Sequence, residues 1–199
     1  IMDLKSGTSL VTNFEQGLLE GRAGLTPIQQ WFFENAGNNS NLYNHFNQGV
    51  LLSIDKNVSF ENLSSAVQQI IFHHDALRFI YQNENGQWSQ KYGPQSEPLI
   101  TVNLQSVEKD SLGNSIREHS DKYQKSLNIE KGEIAKFVLY KTPENETHNR
   151  ILIIVHHLAV DGVSWRILLD DLELLLSSQL KNEKVSLGSK SSSYRQWFE

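Results

Sequence analysis

Two adjacent histidines, His156 and His157, close an unbroken apolar run from Ile151 to Val155, and Asp161 and Gly162 follow within a few residues. An imidazole can take or give a proton near neutral pH, so general acid/base catalysis is the chemistry this cluster suits. The apolar run has the length of a strand covered on both faces and is too short to span a bilayer. Successive strand side chains point to opposite faces, so one histidine can face a small site while its neighbour faces the frame. Asp161 stands just before an apolar helical stripe, where its carboxylate can accept the Ser164 N–H as an N-cap. Gly162 suits a turn that needs unusual dihedrals or close backbone approach. The positive end of the following helix disfavours a permanently charged imidazole beside it. Metal binding is the weaker reading. His157 and Asp161 are spaced i, i+4, but the preceding strand and Gly162 argue against one helix carrying both, and no third ligand follows at a familiar spacing. No metal is therefore expected.

The elements that must position these residues can be read from period and punctuation. Residues 1–24, with scattered Gly, Ser and Thr, read as a linker leading into the domain. Thr26-Pro27 marks a helix start, with Ile28, Trp31 and Phe32 on one face and an end by Gly37. Tyr43 to Ile54 has strand character, strongest at Val50-Leu51-Leu52. From Ser59 the spacing predicts an amphipathic helix with Leu63, Val67, Ile70 and Ile71 inward. Leu77–Tyr81 and Gln87–Tyr92 read as a hairpin around Asn83-Glu84-Asn85-Gly86. A short strand is expected at Leu99–Val102 and a helix over Val107–Leu127. Strands follow at Ile134–Tyr140 and Arg150–Val155. The last long helix begins after Gly162, with Trp165, Leu168, Leu169, Leu172, Leu175 and Leu176 on one face. Lys181 to Ser193 reads as a connector, and Tyr194 to Glu199 as the start of a further element. The expected fold class is a mixed α/β sandwich.

Composition narrows the function classes. The chain has 199 residues, 38% hydrophobic, with 18 basic and 23 acidic side chains for a net charge of −5. The charges are scattered, without the basic face that nucleic-acid binding needs. The absence of cysteine excludes disulfides, thiolate zinc sites and cysteine nucleophiles. Ile1 to Leu25 lacks the charged-then-apolar pattern of a secretory leader. A soluble, cytoplasmic protein without nucleic-acid or membrane partners is expected.

At this point the residues resemble a known family. HHLAVDG, from His156 to Gly162, matches the HHxxxDG signature of the condensation-domain superfamily of nonribosomal peptide synthetases, whose fold is that of chloramphenicol acetyltransferase. LTPIQQWFFE, from Leu25 to Glu34, resembles the family's opening motif, and HHDALRFIY, from His73 to Tyr81, its helix-to-strand motif. The continuation VSWRILLDDLE, together with PIQQWFF, is more like epimerization domains than condensation domains. The resemblance implies inversion of the α-carbon of an aminoacyl or peptidyl thioester, presented on the phosphopantetheine arm of an upstream peptidyl carrier domain, with no tightly bound cofactor. It implies His157 as the acid/base, His156 as scaffold, and Asp161 as a structural residue paired with Arg78, with Gly162 supporting the motif. Such domains have two lobes; residues 25–180 resemble the N-terminal lobe only, with 181–199 a connector toward a C-terminal lobe that supplies the partner acid/base. The isolated lobe is expected to be inactive.

Other readings stay open: a peptide-bond-forming condensation domain in which the same histidine serves an acceptor amine, a coenzyme A acyltransferase on the shared fold, or a carrier-docking module without catalysis. His156 and Asp161 also satisfy the H-x4-D spacing of glycerolipid acyltransferases, but the apolar segments of those proteins are absent. His73, His74 and Asp75 are expected at a helix end, serving its carbonyls. Tyr194, Trp197 and Phe198 suit packing against another lobe or copy, and Asn44 to Gln48 suits either a cavity wall or an edge strand.

Overall fold

The computed structural model describes residues 14–37, 39–181 and 183–198. In chain order the elements are β1 (Gly21–Ala23), α1 (Pro27–Ala36), α2 (Ser40–His45), β2 (Asn47–Asp55), α3 (Phe60–His73), β3 (Phe79–Glu84), β4 (Gln87–Tyr92), β5 (Leu99–Asn103), α4 (Lys109–Gln124), β6 (Ala135–Lys141), β7 (His148–His156), α5 (Gly162–Leu180) and α6 (Tyr194–Phe198). Short 3-10 turns lie at Asp75–Arg78 and Ile129–Lys131.

The apolar run before the His pair becomes β7, second in a four-stranded sheet of order β2-β7-β6-β5. Its neighbours β2 and β6 are antiparallel to it, and β5 runs parallel to β6 across the α4 crossover. Alternation divides β7 between two cores. Leu152 and Ile154 join Leu112 and Ile116 of α4, whereas Ile151, Ile153 and Val155 join Leu63, Val67 and Ile70 of α3 and Leu168, Leu172 and Leu175 of α5. Burial on both faces explains why the run carries no polar residue until His156. A smaller antiparallel sheet, β1-β4-β3, packs beside it. Its hairpin turns at Asn85 and Gly86, both with positive φ (54° and 88°), the conformation that asparagine and glycine tolerate best in a tight hairpin turn. No helix among the described residues is long and apolar enough to cross a membrane.

Several local expectations give way to tertiary context. Gly21–Ala23 pairs with Gln90–Tyr92 as an edge strand, and Leu19 is buried, so the end of the expected leading linker is part of the fold. Residues 1–13 of that linker lie outside the described residues. The expected strand over Tyr43–Ile54 starts later, because Ser40–His45 forms α2 and buries Tyr43 against Trp88. The 3-10 turn Asp75–Arg78 takes the first residues of the expected Leu77–Tyr81 strand. On α1 the stripe is rotated: Gln29 and Phe33 are buried, while Ile28 and Trp31 are 68% and 58% exposed. The polar Gln29 turns inward because partners await it. Its Oε1 accepts the Thr26 N–H, and its amide faces Gln90 Oε1 at 2.9 Å and the Tyr81 hydroxyl at 3.2 Å. The α3 stripe falls where its spacing puts it, with the Ser59 side chain accepting the Asn62 N–H.

The two faces give a direct stability test. Ile70→Ala, fully inside, is expected to lower unfolding free energy by about 2–5 kcal/mol in urea titrations. Ile28→Ala, on the open side of α1, is expected to change it by no more than about 0.5 kcal/mol. Equal effects would contradict the burial pattern.

Candidate active site

The two histidines are held as opposite tautomers. His156 is fully buried, and its Nε2 lies 2.6 Å from the Tyr43 carbonyl. A carbonyl can only accept, so Nε2 carries the proton, and Nδ1 is left to accept the Leu158 N–H at 3.2 Å. The next residue is the reverse: His157 Nδ1 lies 2.7 Å from the Val160 carbonyl and must carry the proton there. Burial pushes the His156 ring down to a pKa of about 4, because a charged imidazole loses its hydration. Both nitrogens of His156 are thus committed to the frame, as strand alternation implies.

His157 instead lines a cavity of about 350 Å³, together with Ile28, Trp31, Phe46, Leu158 and Tyr194. The exposed apolar residues of α1 are therefore walls of this cavity. The Phe46 ring lies tilted against the His157 imidazole, with centroids 4.9 Å apart, and the His157 N–H donates to the Phe46 carbonyl at 2.8 Å. One further residue reaches the ring, and a second holds that residue. Gln48 Nε2 is 3.4 Å from His157 Nε2, and the Trp165 indole N–H donates to Gln48 Oε1 at 2.8 Å. An imidazole whose Nδ1 is committed to a carbonyl keeps Nε2 for proton exchange, the arrangement a general acid/base needs.

The supporting residues sit partly where expected. Asp161 caps α5: its Oδ1 accepts the Ser164 N–H and the Ser164 hydroxyl, both at 2.7 Å, and the Ser164 N–H above all holds its carboxyl below the usual range. The expected pair of Asp161 with Arg78 does not form. Arg78 is 2% exposed and pairs with Asp75, three residues back in the same 3-10 turn, while also donating to the Gly93 and Leu19 carbonyls. Lys190 completes the charge balance, its ammonium 2.9 Å from both Asp75 oxygens. Arg78 thus ties the residues just before β1 and just after β4 to its own turn and, through Asp75, to Lys190, with no direct bond to the His157 site among the described residues. Gly162 also differs from expectation. It is the first residue of α5, its φ is not positive, and open space surrounds its Cβ position. The extended backbone of Asp161 (φ −135°, ψ −174°) makes the change of direction instead.

The second histidine cluster is a fastening. His74 Nε2 is 2.8 Å from Asp171 Oδ2, joining α3 to α5, and His73 lies beside it. Ligand atoms of His73, His74 and Asp171 fall within 4.8 Å of one another. These three residues and Lys190 line a second cavity, separate from that of His157, and the positive charge of Lys190 opposes a divalent cation there. Burial lowers the pKa of both rings.

The comparisons with known proteins agree with this architecture. The sequence profile described as Condensation domain matches residues 19–199. Surfactin synthase subunit 2 of Bacillus subtilis (strain 168) is 39% identical over 188 residues, covering 93% of this chain and 5% of that protein. Among solved structures, the epimerization domain from the third module of tyrocidine synthetase B superposes with a TM-score of 0.81 at 34% identity, covering 92% of this chain and 41% of that one. The starter condensation domain of rhizomide synthetase has a TM-score of 0.73 at 15% identity, over 86% of this chain and 43% of that one, and so shares the fold. The chain belongs to the condensation-domain family of nonribosomal peptide synthetases. It spans a small fraction of the synthetases it resembles and about two fifths of the solved epimerization domain.

The sequence points to His157 and Asp161, whereas Trp165 reads as a core residue and Gln48 as either cavity wall or edge strand. The available signal was a polar amide in a strand directly beside a tryptophan-bearing motif, which becomes meaningful only when β2 and β7 are known to pair. Two measurements test the site's framework. Asp75→Ala strands the buried Arg78 charge and is expected to destabilise by about 3–5 kcal/mol, against about 1 kcal/mol for Asp161→Ala, which removes a cap. Equal losses would restore an Asp161–Arg78 role. Acid sensitivity is the second. The unfolded chain protonates His156 near pH 6.5 whereas the folded chain resists until about 4, so stability falls as pH drops through that window. His156 is expected to supply about 2 kcal/mol of the loss between pH 6.5 and 5, and His156→Gln should remove that share, leaving the smaller part from His73 and His74.

Proposed function

We propose that this chain is the N-terminal lobe of an epimerization domain, inverting the α-carbon of an aminoacyl or peptidyl thioester from L to D. The single observation that carries the reading is His157 on a cavity wall with its Nδ1 committed to the Val160 carbonyl, which leaves Nε2 for proton exchange, in a sequence that runs on as VSWRILLDDLE. The substrate arrives on the phosphopantetheine arm of an upstream peptidyl carrier domain, and no tightly bound cofactor takes part. The thioester acidifies the α-hydrogen. His157 Nε2 takes that proton, the electron pair passes into the thioester carbonyl to give a planar enolate, and a proton returns to the opposite face. Return from the opposite face needs a second group, which we assign to a C-terminal lobe; one lobe alone supplies one wall. The 34% identity and TM-score of 0.81 to a solved epimerization domain support this reading over peptide-bond formation. We place the domain in the cytoplasm, among the other modules of a synthetase, with neither nucleic acid nor membrane as partner.

The experiment pairs this chain with a C-terminal lobe from the tyrocidine relative, fused in register, and a carrier domain loaded with an L-aminoacyl thioester. Chiral analysis is expected to find no D-product with the chain alone and D-product with the fusion, and His157→Ala in the fusion should reduce turnover by about 10²–10⁴-fold. Turnover by the chain alone, dipeptide formation from a second loaded carrier, or full activity in His157→Ala would contradict the assignment.

A further inference from the structure

The polar row Trp165–Gln48–His157–Val160 leaves each member only one self-consistent role. The Trp165 indole N–H can only donate, so the Gln48 atom 2.8 Å from it is the oxygen, and the Gln48 amide NH2 is thereby turned to His157 Nε2 at 3.4 Å. That NH2 can only donate, so Nε2 is the acceptor. From the other side, the Val160 carbonyl can only accept, at 2.7 Å, so Nδ1 holds the proton. Donor and acceptor roles run through the row without conflict, and reversing any one member would leave two donors or two acceptors facing each other.

We propose that Gln48, aimed by Trp165, is a positioning residue that fixes the ring of His157 with an unprotonated Nε2. The elements are arranged for it. Gln48 lies on the edge strand β2, opposite Val155 in register, and Trp165 stands in the first turn of α5, where its backbone N–H donates to the Asp161 carbonyl at 3.0 Å. The cap residue Asp161 therefore sets Trp165, Trp165 sets Gln48, and Gln48 sets His157. The cavity is lined by His157 but by neither Gln48 nor Trp165, so both act through the imidazole. At 3.4 Å the amide contact is longer than a typical hydrogen bond, so it is weak enough for a substrate C–H to displace it from the single Nε2 lone pair when the proton is taken. The lock exists whatever the reaction; its catalytic meaning rests on the proton-transfer reading above. It also gives the tryptophan of the VSWRIL run a physical task.

The test reads the ring directly. In the 199-residue chain labelled with ¹⁵N-histidine, long-range ¹H–¹⁵N spectra near neutral pH are expected to show His157 with a single ring proton, on Nδ1. Gln48→Glu replaces the donor by an acceptor, so both ring nitrogens face acceptors and both should carry protons. Trp165→Phe keeps the ring but frees the amide to turn, and a second His157 form, protonated on Nε2, should appear. Backbone amide spectra report whether each variant keeps the fold. If Gln48→Glu does not fold, the wild-type and Trp165→Phe spectra decide. A wild-type proton on Nε2, or unchanged His157 signals in the folded variants, would overturn the proposal. In the two-lobe fusion, Gln48→Glu should lower kcat by about 10²-fold with little change in KM. Ring signals that move as expected in a fusion that never epimerizes would refute the reaction and leave the lock standing.

Discussion

A backbone carbonyl can accept a hydrogen bond but never donate one, and that asymmetry organises the site. Two carbonyls, of Tyr43 and Val160, each meet one nitrogen of adjacent imidazoles, and they meet different nitrogens. His156 is forced to protonate Nε2 and His157 to protonate Nδ1. Strand alternation separates the rings; the carbonyls then give one to the frame and leave the other with a basic lone pair. The rest of the fold holds those two carbonyls still. Tyr43 is fixed by its packing on Trp88, and the Leu158–Val160 loop by the amide of Gln29 and by the capped start of α5.

Arg78 is a second buried polar centre, a guanidinium at full depth whose terminal nitrogens join Asp75, Leu19 and Gly93, with Lys190 closing the far side of Asp75, while its Nε is left without a partner. A charge that deep is tolerable only when paired and hydrogen-bonded. Its function is to bind together segments distant in sequence, including the two ends of the described chain. This anchoring lies apart from the His157 site, so the Leu-Arg of the HHDALR motif serves the frame.

Much of this was legible in the residues. The apolar run of β7, the α3 stripe, the hairpin and the α5 cap follow from period, turn chemistry and capping, because those forces act locally. The rotated α1 face was not legible: inward Gln29 depends on Tyr81 and Gln90, more than fifty residues away in sequence, and outward Ile28 and Trp31 depend on a cavity that exists only when α1 meets the His157 loop. The partner of Arg78 was misassigned for a related reason. The resemblance offered Asp161, but a carboxylate three residues away reached the guanidinium first, and Asp161 was already engaged by Ser164. Gln48 could not be tied to His157 before strand pairing brought β2 beside β7.

The central claim is that neighbouring histidines hold opposite tautomers, leaving one of them basic at Nε2. Neutron diffraction from a perdeuterated crystal near neutral pD would locate the deuterons on both rings and the orientation of the Gln48 amide in one experiment. The expected map has density on Nε2 of His156 and on Nδ1 of His157, with the Gln48 ND2 group toward His157. A deuteron on Nε2 of a neutral His157, or a Gln48 oxygen turned to that ring, would contradict the account.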